Sequence, residues 1–213
     1  SKTDLSMANF TTGYLTSLAE KQIYGVESNG VLTLYYDRES GNRTGTVNID
    51  PTDNSVPGWA GTEDNPNTTV TKVVFDKSFS KCQPTKTCYW FCYLTKLTTF
   101  EGLENLNTKE ITEMSKMYAG CSSLTSLDLS PFVTGALKSM SFMFADCSSL
   151  TSLEFPNFTT GSVTNMEGLF KGCSSLKSVD ISNLDFAMAS YINSMFEGCS
   201  SLTTLDLSEF DFS

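Results

Sequence analysis

The stretch Cys121-Ser122-Ser123-Leu124-Thr125-Ser126-Leu127-Asp128-Leu129-Ser130 decides how this chain is read, because it returns three times. Cys121, Cys147, Cys173 and Cys199 recur at a fixed interval of 26 residues, each followed by Ser-Ser-Leu. The apolar row continues at Leu127, Leu153, Val179 and Leu205, then at Leu129, Phe155, Ile181 and Leu207, and closes at Phe132, Phe158, Leu184 and Phe210. A fixed period of this length marks a repeat architecture, in which a unit buries its apolar edge only against its neighbours.

The pattern L-x-x-L-x-L-x-x-F matches the strand signature of a leucine-rich repeat, with Phe where Asn is common. The other half of each unit has a different period. Met114, Met117, Tyr118 and Cys121 are spaced i, i+3, i+4, i+7, one face of a helix. The spacing returns at Met140, Met143, Phe144 and Cys147, at Met166, Leu169, Phe170 and Cys173, and at Ile192, Met195, Phe196 and Cys199. Gly120, Gly172 and Gly198 stand where each short helix should stop in a left-handed C-cap. The expected fold is therefore α/β: a leucine-rich-repeat solenoid with short parallel β-strands and short helices, plus an N-terminal β-hairpin cap-like segment.

Working outward, the frame decays toward the N-terminus. Leu97-x-x-Phe100, preceded by Trp90 and Phe91, reads as an imperfect coil, and Val70-x-x-Val73-x-Phe75 as an earlier strand. Residues 70–213 are expected to form about six coils. Residues 19–69 break the frame. There Gly30 to Tyr36 reads as a strand, Glu39 to Asn42 as a turn and Thr44 to Ile49 as the returning strand of a hairpin. This segment is expected to cap the solenoid. Residues 1–18 are a possible partial repeat or extension, since Asn9 to Gly13 matches Asn157 to Gly161. Further repeats are expected beyond Ser213, which falls inside a unit.

The 213 residues carry a formal net charge of −10 and no histidine. An acidic surface repels phosphate backbones, which argues against nucleic acid as a partner. Without histidine, the usual Ser-His and Cys-His nucleophile pairs are excluded, and the commonest metal ligand is missing. The chain is expected not to be an enzyme and to need no cofactor. No apolar run approaches the roughly 20 residues that span a bilayer, so membrane insertion of this chain is not expected.

Cys121 to Ser130, Met140 to Phe144 and Gly102 to Thr108 resemble the BspA-like leucine-rich-repeat surface proteins of bacteria. Val31 to Asp37, Arg43 to Thr46, Pro57 to Trp59 and Thr71 to Asp76 are similar to the same family, so the likeness covers residues 23–213. The resemblance implies a secreted or surface-anchored protein of many repeats. It also implies adhesion, or recognition of host or neighbouring-cell proteins. The alternative is a structural spacer or self-assembling stalk of a larger surface protein.

The candidate partner surface is an acid row. Asp128, Glu154, Asp180 and Asp206, with Glu101, fall between the last two apolar positions of each strand and should point outward. Strands about 5 Å apart would set these carboxylates in a ladder. Each like pair then costs roughly 1 kcal/mol in water and ~3 at an effective dielectric of about 20. Such a row hints at a cationic partner or bound cations; the plainer explanation is that repeat duplication copied a tolerated, solvated acid. Ser126, Ser152, Ser178 and Thr204 share the face. The cysteine column is read as free buried thiols, with a Cys82–Cys88 bridge possible. Asp37, Glu39, Asn42, Asp50, Asp53 and Asn54 lack the spacing of a calcium loop and read as turn chemistry. Trp90 aligns with the buried column, and the role of Trp59 stays open.

Overall fold

The computed structural model describes residues 20–50 and 52–206. The strands are β1 (Gln22–Ser28), β2 (Val31–Asp37), β3 (Thr46–Ile49), β4 (Lys72–Phe75), β5 (Thr99–Glu101), β6 (Ser152–Leu153) and β7 (Ser178–Val179). Short 3-10 turns occupy Ser40–Asn42, Lys77–Lys81 and Leu103–Asn105. The possible repeat at residues 1–18 and the positions Leu207 and Phe210 lie outside the described residues.

The expected hairpin has a different partner. β2 pairs antiparallel with β1, and β3 pairs with the far edge of β1. The local reason is Asn29-Gly30, whose φ values of 51° and 77° supply the two left-handed positions of a tight hairpin turn. β2 continues in parallel to β4, and β4 to β5, giving one mixed sheet in the order β3-β1-β2-β4-β5. Leu32, Leu34, Val73 and Phe75 line its buried face.

The α/β leucine-rich-repeat solenoid with short helices is not what the chain forms. Among the described residues there is no α-helix, and the principal regular element is the five-stranded mixed sheet. The segments read as helices are chained turns. Two positions in each unit take left-handed backbone: Lys116, Phe142, Gly168 and Ser194 at φ of 55–58°, and Gly120, Asp146, Gly172 and Gly198 at 59–79°. A helix cannot run through them.

The backbone hydrogen bonds divide instead between the unit and its neighbour. Met114, Lys116, Tyr118 and Gly120 donate their N–H groups to the carbonyls of Ser139, Ser141, Met143 and Ala145 in the next unit, at 2.7–3.0 Å. The residues between them bond locally: Met117 to Met114, Ala119 to Lys116 and Cys121 to Tyr118. The same division recurs one unit on and again after that. Isolated parallel bridges mark the register through Lys86, Glu113, Ser139, Asn165 and Tyr191.

The i, i+3, i+4, i+7 spacing therefore selects the right inward residues for a different reason. Met114, Met117, Tyr118 and Cys121 are all fully buried. Their rings stack in a column, Phe91–Tyr118–Phe144–Phe170–Phe196, with centroids 5.4–6.0 Å apart. Each column cysteine donates its S–H to a carbonyl of the preceding unit: Cys121 to Phe91, Cys147 to Tyr118, Cys173 to Phe144 and Cys199 to Phe170, at 3.1–3.2 Å.

Buried threonines form a second polar column. The buried hydroxyl of Thr108 donates to the Val133 carbonyl and accepts from the Val133 N–H. Thr134 does the same with Thr159, and Thr160 with Asp185. One hydroxyl thus satisfies both backbone groups of a residue in the next unit.

The first unit is closed on its outer side by the loop around Trp59. The indole N–H of Trp59 donates to the Trp90 carbonyl at 2.7 Å, and Gly61 N–H to the Cys92 carbonyl at 2.8 Å. Asn67 N–H bonds to the Tyr93 carbonyl at 3.0 Å. Trp59, whose role the sequence left open, is buried at 4% exposure, and Trp90 is buried as expected.

Candidate functional site

The acid row is built on the segment after each Cys-Ser-Ser-Leu. Leu127, Leu153, Val179 and Leu205 turn toward the core, which leaves the residues on either side of each at the surface. Ser126, Asp128, Ser152, Glu154, Ser178, Asp180, Thr204 and Asp206 are all exposed, as is Glu101 in β5. Exposure is as expected, but the continuous parallel sheet beneath the row is not. Among the described residues, strand pairing along the row is limited to β4 with β5 at Glu101 and to β6 with β7, through Ser152–Ser178 and Leu153–Val179.

Asp128 and Asp180 help explain why the strands are so short. Asp128 Oδ1 accepts the Ser130 N–H at 2.8 Å, and Asp180 Oδ1 accepts the Ser182 N–H at 3.0 Å. The side chain takes a backbone donor that a longer ladder would need, and the chain turns away. Hydrogen bonds from Ser130 and Ser182, side chain first and then backbone, hold these carboxyls below the usual aspartate range.

Shallow depressions separate neighbouring units on this face. One of about 300 Å³ lies between Phe100, Leu103, Ser126 and Asp128. The next, about 200 Å³, is lined by Ser126, Asp128, Ser152 and Glu154, so the structure gathers four of the candidate residues at one groove. Glu101 stands apart in one respect, since it is ion-paired with Lys72 across β4 and β5. Thr204 and Asp206 lie in the last described unit, outside any strand.

The residues weighed for calcium are spent on separate turns. Asp37 holds Arg43 and the Glu39 N–H, Asp50 caps Thr52, and Asp53 caps Ser55. Among the described residues no group of three His, Cys, Asp or Glu side chains is placed to hold a metal ion.

All seven cysteines are free thiols, Cys82 and Cys88 included. Burial pushes the Cys82 and Cys173 thiols up to about 12, and those of Cys88 and Cys92 up to about 11. Cys121 and Cys147 are raised by burial too. A thiol that stays protonated is a poor nucleophile. At pH 8 an aromatic disulfide reagent should therefore leave the folded chain almost unlabelled, with the half-buried Cys199 reacting first. In denaturant all seven should react. Fast labelling of several thiols in the folded chain would contradict the packing.

The sequence reading missed the buried threonines. Their signal was present, since Thr134 and Thr160 follow Phe132 and Phe158 at the same offset, as Thr108 follows Leu106. Threonine is usually exposed, so residue type alone does not mark these positions as buried.

These features define a protein of stacked 26-residue units, closed at one end by a mixed sheet and a loop, with an open acid-bearing face. The chain belongs to the family described as "Mycoplasma protein of unknown function, DUF285", which matches residues 85–210, the span of the repeats. Neither the curated proteins nor the solved structures contain a match to the chain.

Proposed function

We propose that this chain is a non-catalytic protein-binding module of a bacterial cell-surface protein, and that it takes a cationic protein partner along its acid-bearing face. The observation that carries the reading is the recurrence of exposed Asp128, Glu154 and Asp180 in three successive units, beside shallow grooves wide enough for side chains. Like charges at this spacing repel, so an opposite charge laid across them gains from all at once. The net charge of −10 steers a cationic surface toward the chain from a distance. The resemblance to BspA-like surface repeat proteins supports an extracellular setting and adhesion to host or neighbouring-cell proteins. No described helix is long and apolar enough to cross a membrane.

Binding to an array of extracellular and cell-surface proteins tests the reading. It is run beside a variant carrying Asp128→Asn, Glu154→Gln, Asp180→Asn and Asp206→Asn. Affinity for a captured partner should fall roughly tenfold or more at low salt, and less as salt rises. Because the Asp128 and Asp180 carboxyls are held down, their charge persists as pH falls through 3.8, the ordinary aspartate value. Binding that depends on them should survive to that point. A partner captured equally by parent and variant would move the site off this face.

A further inference from the structure

The five-stranded sheet ends at β5, and the corresponding segment of the next unit, Ser126–Asp128, forms no ladder with it. The depression of about 300 Å³ on the acid-bearing face is the gap between them. Its lining differs from that of the neighbouring depression. Phe100, only partly buried, stands in it where the equivalent positions of the later units hold Leu127, Leu153, Val179 and Leu205. Leu103, Leu127 and Pro131 complete the apolar lining.

Two exposed carboxylates belong to the same groove. Asp128 comes from the second unit and Glu104 from the 3-10 turn Leu103–Asn105. That turn is fixed to the sheet. Gly102 has a φ of 71°, a Cβ there would run into the Phe75 carbonyl oxygen, and Asn105 Nδ2 donates to that oxygen at 3.1 Å. Among the described residues neither Glu104 nor Asp128 lies within ion-pair distance of a lysine or arginine. The rung beside them shows what this column accepts, since Glu101 is held by Nζ of Lys72 from the adjoining strand.

An apolar groove with carboxylates at its rim suits a side chain that is apolar along its stem and cationic at its tip. Arginine suits it better than lysine. A guanidinium is planar and weakly hydrated, stacks on an aromatic ring and can divide its donors between two carboxylates, whereas an ammonium is a strongly hydrated point charge. We propose, resting on the cationic-partner reading, that this groove seats an arginine side chain of the protein partner. The stem lies along Leu103, Leu127 and Pro131, and the guanidinium lies against Phe100 between Glu104 and Asp128.

Titration of the full chain at low salt tests this with two synthetic peptides of equal length and charge, arginine alternating with glycine in one and lysine with glycine in the other. The arginine peptide should bind roughly two- to fivefold tighter. Phe100→Leu, which matches the leucines of the next two units, should bring the two peptides to equal affinity and leave the lysine peptide where it was. Glu104→Gln should weaken the arginine peptide more than the lysine peptide. Circular dichroism checks that each variant folds; should Phe100→Leu fail to, Glu104→Gln decides in its place, because its side chain is exposed. Equal affinities in the parent, or an arginine preference that the folded variants keep, would overturn the groove as the seat and leave the cationic-partner reading standing. If neither peptide binds the parent, both fall.

Discussion

Thr134→Val is expected to destabilise the fold by about 1–3 kcal/mol, although it is nearly isosteric and removes no charge. The Thr134 hydroxyl is fully buried and serves Thr159 twice, accepting from its N–H at 2.8 Å and donating to its carbonyl at 3.2 Å. Valine removes the side-chain partner of both Thr159 backbone groups; because Thr159 is itself exposed, water replaces part of what is lost, and each bond contributes about 0.5–1.5 kcal/mol. Urea unfolding measures the loss. Thr134→Ser keeps the hydroxyl and should recover most of it, leaving only the small deficit of a missing methyl. The equivalent Thr160→Val, which orphans the Asp185 backbone pair, should behave alike. Valine at Thr134 that is neutral or stabilising would show the hydroxyl column to be incidental.

Phe144→Ala should cost about 3–5 kcal/mol, as for other fully buried phenylalanines. Phe144 stacks between Tyr118 at 5.5 Å and Phe170 at 6.0 Å and meets Phe155 edge-on at 6.2 Å. Its removal opens a void in the middle of the column that rigid backbone pairing on both sides prevents from closing. Phe196→Ala makes the internal comparison. Phe196 touches Phe170 at 5.4 Å but is only partly buried in the last described unit. Its loss should therefore cost less, on the order of 1–2 kcal/mol. Equal losses at the two positions would mean that the aromatic column does not gain stability by being enclosed between neighbouring units.

Both predictions rest on residues whose spacing was visible in the sequence to different degrees. The 26-residue register and the inward residues Met114, Tyr118, Phe144 and Cys147 followed from apolar spacing, because burial leaves its mark on composition whatever the backbone does. The backbone itself was misread. An i, i+3, i+4, i+7 pattern is produced equally by an α-helix and by turns joined through left-handed residues, and Lys116, Phe142 and Ser194 are not residue types that announce positive φ. The hairpin was misplaced for the converse reason. Asn29-Gly30 is the turn that sets the pairing of β1 with β2, whereas the alternation of β2 fits pairing with a strand on either side.

The acid row was legible as exposed residues and illegible as a surface. Asp128 and Asp180 each divide their bonding between solvent and the turn they close, and only the three-dimensional position of the Ser130 and Ser182 N–H groups shows it. The bond from the Trp59 indole to the Trp90 carbonyl was equally hidden, since Trp59 and Trp90 are 31 residues apart and follow no repeat.

By itself, then, the sequence determined the period, most of the apolar residues of the repeat core, the charge and the absence of histidine, because each of these depends on residue type and interval alone. The tertiary structure decided where the N–H and C=O groups go: into the neighbouring unit rather than along a helix, into threonine and cysteine side chains, and into the Trp59 loop. Backbone polar groups are the same in every residue, so no composition records which partner they take. Only the packing of one unit on the next selects it.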